Sequence, residues 1–156
     1  MDSAQQPGGS EILSAEWIPL GTHRWRFQRP ILSLELTGDF QQQDFDGYLA
    51  TYRKLWQAER NFGLLVDAGR MQGAHPDIRR RIIKELPKDG PSIPIAVLGA
   101  SVTMRTVLIL VSNAQRLLFG DEPSFAFFSN EAAARTWLHQ RISERARKLE
   151  PLAAQR

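Results

Sequence analysis

NFGLLVDAGRMQGAHP, residues 61–76, is the stretch that decides how the rest of the chain is read. Its apolar part, Phe62–Asp67, is short and continuous, the pattern of a strand buried on both faces. Asp67 ends that strand, and Ala68–His75 reads as a loop. In α/β domains binding residues gather at the carboxyl ends of strands. The stretch is therefore both a central strand and a candidate site.

On its C-terminal side the pattern alternates. Residues 75–87 read as a helix with Pro76 in the first turn, where no backbone donor is needed, and with Ile78, Ile82, Ile83 and Leu86 as its stripe. SIPIAVLG, 92–99, is another buried strand. Residues 102–120 form a third helix, with Ser101 as N-cap and Gly120 as stop. SFAFFS, 124–129, is a last short strand. A closing helix covers 130–149, capped by Ser129 or Asn130, with Trp137, Leu138 and Ile142 turned inward.

On its N-terminal side ILSLELTG, 31–38, alternates Ile31, Ser33 and Glu35 against Leu32, Leu34 and Leu36, as a half-buried strand does. A strand pair or one long edge strand, broken at Pro19 and Gly21, precedes it over 16–27. Between 39 and 61 the rhythm becomes helical, and Phe45, Tyr48, Leu49, Tyr52, Leu55 and Trp56 make one apolar stripe. Gly47 weakens this helix and places its start after Asp44. The order ββαβαβαβα predicts an α/β fold: a mixed, mostly parallel sheet with helices packed against it. Residues 1–12 are polar and Gly/Pro-rich and read as a disordered tail. Residues 13–149 read as a single domain and 150–156 as a frayed end.

Composition narrows the function classes. The chain has 156 residues, 42% apolar and 24% charged, which suits one soluble domain. It contains no cysteine, which removes disulfides, thiolate nucleophiles and thiolate-bound metals. Its most apolar run, 106–111, is far below the roughly 20 residues of a membrane span. No signal peptide is visible, and a cytoplasmic location is expected. The net charge is +3. Arginine clusters at Arg79, Arg80 and Arg81, and at Arg141, Arg145 and Arg147 beside Lys148, read as solvated helix faces. Without a nucleic-acid-binding module or stacking aromatics among them, nucleic acid is not expected as a partner.

Three stretches carry a family resemblance: LELTGDFQQQDFDGY, LLVDAGRMQG and FFSNEAAARTWL. In their order, over residues 16–145, the chain resembles the STAS domain family, in its SpoIIAA-like, STAS/SEC14-like branch. The resemblance implies a non-enzymatic bacterial regulatory protein that binds a protein partner. Phosphoregulated members carry a Ser or Thr after the strand that ends here in Asp67. This chain has no Ser, Thr or Tyr between Tyr52 and Ser92, so the usual switch is not expected at that place.

The candidate residues follow. Asp67, Arg70, His75, Arg79, Arg80 and Arg81 form the expected partner-binding set, with the arginines as anion-seeking groups. Each also has a structural reading: Asp67 as a turn former, His75 as a helix cap, and the arginines as a polar helix face. Ser101 and Thr103, at a helix N-terminus, are candidate phosphorylation or anion-site residues. The helix 102–120 is apolar on more than one side, which allows burial, self-association as a homo-oligomer, or a wall of a pocket for a small lipophilic ligand. Met104, Leu108 and Val111 would line that pocket, as the SEC14-like comparison implies. His23, His75 and His139 lie on separate elements with no metal-ligand spacing. No cofactor fingerprint or catalytic constellation stands out, and neither cofactor nor enzyme activity is expected.

Overall fold

The computed structural model describes residues 16–86, 92–119 and 124–155. The expected tail 1–12 and the stop at Gly120 lie outside them. Six strands and four helices follow one another as β1 (Ile18–Leu20), β2 (His23–Gln28), β3 (Ile31–Phe40), α1 (Gln42–Ala58), β4 (Gly63–Ala74), α2 (Ile78–Glu85), β5 (Ile95–Leu98), α3 (Val102–Phe119), β6 (Phe125–Phe128) and α4 (Glu131–Ala153). The strands join one sheet in chain order. β1, β2 and β3 are antiparallel, and β3 to β6 are parallel. The mixed, mostly parallel sheet expected from the alternation is present. The break at Pro19 and Gly21 resolves into the β1–β2 pair.

The sheet separates two cores. On one face the α1 stripe, with Phe45, Leu55 and Trp56, packs on Trp25, Phe27, Leu32, Leu34, Leu36 and Leu64, joined by Ile78 of α2. On the other face Ala134, Leu138 and Ile142 of α4 pack on Ile31, Leu65 and Ala96. A sheet built in strict chain order explains this division. Right-handed crossovers place successive connecting helices on one side, which leaves the opposite side to the helix after the last strand. Ile31 to Leu34 are consequently all buried, where alternation alone had suggested a half-buried strand.

Several boundaries differ from expectation for local reasons. α1 begins at Gln42 rather than after Asp44, because the Asp44 carboxylate accepts the Gln41 amide at 2.8 Å and caps the first turn. Gly47 is tolerated within it because β1 lies close: a Cβ there would meet Leu20 Cδ1 at 2.5 Å. α2 starts at Ile78, leaving His75 and Pro76 in the preceding turn. α4 continues to Ala153 with Pro151 inside its last turn. β4 differs most. It does not stop at Asp67 but runs to Ala74, paired along β3.

Candidate functional site

The register along β3 and β4 shows how β4 passes Asp67 without ending. Glu35 pairs with Asp67 and Thr37 with Arg70, so β4 spends one more residue than β3 across Ala68 and Gly69. A second extra residue, Gln72, separates the pairs Gly38–Met71 and Asp39–Gly73. These are β-bulges, which twist a strand and re-aim its side chains. Asp67 stabilises the first one: its Oδ1 accepts the Gly69 amide at 3.0 Å, the turn-forming use of a short carboxylate. The β5 end lies against the same bulge. Gly99 has φ +66°, and a Cβ there would meet Gly69 Cα at 2.7 Å.

The expected partner-binding set is divided by this geometry. Arg70 turns to Glu35, whose carboxylate also takes two bonds from Arg24, at 2.8 and 3.1 Å. Glu35 thus neutralises two arginines on the α4 side of the sheet, where Asp67 also stands. His75 closes the β3–β4 ladder by donating its amide to Phe40 C=O at 2.9 Å, while its Nδ1 accepts the Asp77 amide at 3.2 Å. The arginine run lies beyond, on α2.

That run is not uniform. Arg81 is folded back onto α1. It bonds Glu85 and Asp46, each at 2.5 Å, reaches Gln42 Oε1 at 3.1 Å, and covers the Phe45 ring at 4.7 Å. The hydrogen bond from Arg81 holds the Glu85 carboxyl below the usual carboxylate range. The bonds to Glu85 and then Asp46 push the Arg81 guanidinium further into its charged form. Arg79 and Arg80 are exposed and make no ion pair among the described residues. The helical period separates them from Arg81: one step of 100° turns a neighbour away from a contact that the next residue makes.

A second arginine was misplaced by composition. Arg145, grouped by its charge with Arg141, Arg147 and Lys148, is 4% exposed. Its Nη1 donates to Arg60 C=O and to Asn61 Oδ1, the latter at 3.3 Å, and its guanidinium lies 5.5 Å from the Trp56 ring centre. Asn61 in turn donates to Ile142 C=O at 3.2 Å. The α1–β4 junction is thereby tied to α4. The available signal was its spacing: Leu138, Ile142 and Arg145 recur on one side of the helix.

At the other end of α1 lies a shallow depression of about 450 Å³, lined by Thr22, Thr37, Gly38, Asp39, Gln41 and Asp44 among others. His23 is buried behind it, with its ring 5.1 Å from that of Phe40. The sequence shows no role for His23, because its partner Asp44 lies 21 residues away.

Ser101 caps α3 as expected, its Oγ accepting the Met104 amide at 3.1 Å. Asn130 does the same for α4. Thr103 is exposed. Of the expected pocket residues Met104 and Leu108 are half-buried, and the Val111 side chain lies outside the described residues. α3 leaves Val102 and Leu117 exposed at 82% and 86%, with Ile109 and Leu110 about half exposed. No described helix is long and apolar enough to cross a membrane, and no group of three potential metal ligands occurs among the described residues.

No known family and no curated protein matches the sequence. Solved structures do match the architecture. The unphosphorylated anti-sigma factor antagonist SpoIIAA superposes with a TM-score of 0.51 at 14% identity, over 75% of this chain and 97% of that one. The fold is SpoIIAA-like. An uncharacterised DUF3478-family protein from Shewanella loihica, itself described as having a SpoIIAA-like fold, aligns at 16% identity over 73% of this chain and 90% of its own, with a TM-score of 0.45. The SpoIIAA-like architecture agrees with the resemblance carried by the three sequence stretches. At such identities the likeness is one of fold, and residue roles rest on this chain's own geometry.

Proposed function

We propose that this chain is a non-enzymatic regulatory domain that binds a protein partner through the surface of α2, without a Ser/Thr phospho-switch after β4. The observation that carries the reading is the contrast within one arginine run. Arg81 is used internally, whereas Arg79 and Arg80 are exposed without ion pairs among the described residues. Exposed Lys84 extends the positive surface. Charges of one sign on a short, anchored helix steer and orient an acidic partner. Asp67, Arg70 and His75 serve this surface indirectly, by setting the bulge, the sheet face and the turn that lead into α2. The SpoIIAA-like fold supports the regulatory reading at the level of architecture.

The test is gentle isolation of the protein from its own source, followed by native mass spectrometry. A stoichiometric protein companion is expected. Arg79→Glu combined with Arg80→Glu should abolish that complex while the melting temperature stays within about 2 °C, since exposed substitutions of this kind change stability by about 0.5 kcal/mol. A companion retained by the double variant refutes the α2 surface. A small-molecule mass lost on denaturation would instead favour a lipophilic-ligand carrier and direct attention to Met104 and Leu108.

A further inference from the structure

His23 has both ring nitrogens engaged inside the protein, and the two bonds fix its state. The residue is 3% exposed and its side chain is fully buried. The Thr37 amide approaches Nδ1 at 2.9 Å. An amide nitrogen can only donate, so Nδ1 is the acceptor and the proton sits on Nε2. Nε2 then donates to Asp44 Oδ2 at 3.2 Å. That same oxygen accepts the Gln41 amide at the start of α1. One neutral imidazole therefore links β2, β3 and the first turn of α1.

A second proton has only one place to go. On Nδ1 it would set an N–H against the Thr37 N–H and remove that bond. At Nε2 the resulting cation would form a charge-assisted pair with Asp44, which is a stronger interaction than the neutral bond. Protonation thus exchanges a backbone bond for an ion pair instead of simply weakening the site. The groups facing the ring are the Asp44 carboxylate from α1, the Thr37 amide and the Phe40 ring from β3, and Leu20, its register partner, from β1. Asp39 lines the adjoining depression. Thr37 is also the first residue paired with β4 beyond its bulge, opposite Arg70.

We propose that His23 is a proton-operated latch on the far end of β3. With a neutral ring, Thr37 is held and the ladder from Thr37–Arg70 to Phe40–Ala74 stays closed. With a charged ring, the Thr37 amide loses its acceptor, Thr37 is left held through its C=O, which accepts Thr22 Oγ1 at 2.8 Å, and this ladder, which leads through His75 into α2, opens more often. The latch does not depend on the partner-binding reading.

The test is nitrogen and amide NMR on the full chain as pH falls from about 8 to about 5, where histidines serve as switches. The His23 ring signals are expected to pass from the neutral Nε2-protonated form to the doubly protonated one. The Thr37 amide should lose its hydrogen-bonded shift with the same midpoint, and the protection of the Gly73 and Ala74 amides, measured against the slowing intrinsic exchange rate, should fall more than that of amides elsewhere in the sheet. In His23→Gln these linked changes should vanish. If that variant does not fold, the comparison of ring and Thr37 signals in the unaltered chain still decides. A ring that remains neutral until global unfolding overturns the proposal, as does a ring that titrates while the Thr37 amide does not follow.

Discussion

Replacing Arg145 by Ala tests the claim that a buried arginine joins the two sides of the sheet. The substitution removes the donor for Arg60 C=O and for Asn61 Oδ1, and the cation beside Trp56. A hydrogen bond to a charged group contributes about 1.5–3 kcal/mol net. The Asn61 contact, at 3.3 Å, belongs at the weak end of that range. Folding desolvates the guanidinium, a cost that the Ala variant does not incur, and this offsets part of the sum. A net loss of about 3 kcal/mol follows. For a chain of this size each kcal/mol moves the melting temperature by about 2–4 °C, giving a fall of about 6–12 °C. Arg147→Ala, at an exposed site two residues on, should fall by no more than about 2 °C. Differential scanning calorimetry of the two variants measures both. Equal shifts would refute the buried role and return Arg145 to the solvated face that composition suggested.

Two further outcomes follow from buried groups and close backbone packing. Burial pushes the Tyr48 hydroxyl well above its ordinary range, and burial followed by the charge of Tyr48 does the same for Tyr52. These are the chain's two tyrosines. A raised folded value favours the neutral phenol, so its stabilisation is intact below about pH 10 and is lost as pH climbs beyond it. Phenolate ultraviolet absorbance should therefore appear together with loss of circular dichroism in alkali; phenolate in a still-folded chain would contradict the burial. Gly99→Ala should cost at least about 2 kcal/mol, from the left-handed backbone and the clash with Gly69. Gly38→Ala, also at positive φ but with nothing within 4 Å of the new Cβ, should lose only about 1 kcal/mol. Similar urea midpoints for the two would sink the argument that Gly99 is held by packing.

The sequence by itself determined the alternation of elements, the six-residue α1 stripe and the helix cap at Ser101, and it narrowed the cap of α4 to Ser129 or Asn130. Those features are local: each depends on residues within a turn or two of one another, or on a period of two or 3.6. It also showed that the connection after β4 carries no hydroxyl side chain. What only the tertiary structure decided are the matters that depend on pairing across the fold. Asp67 looks like a strand end because a short polar residue after an apolar run usually marks one. β3 carries the ladder past it through two bulges that no local rule foresees. Arg81 and Arg79 are indistinguishable in the sequence, yet only Arg81 faces Asp46, 35 residues away. Arg145 looks like a surface group and His23 has no visible role until Asn61 and Asp44, brought in from other elements, supply their partners. A charged side chain declares its chemistry in the sequence, but its role depends on whether the fold gives it a counterpart or leaves it to water.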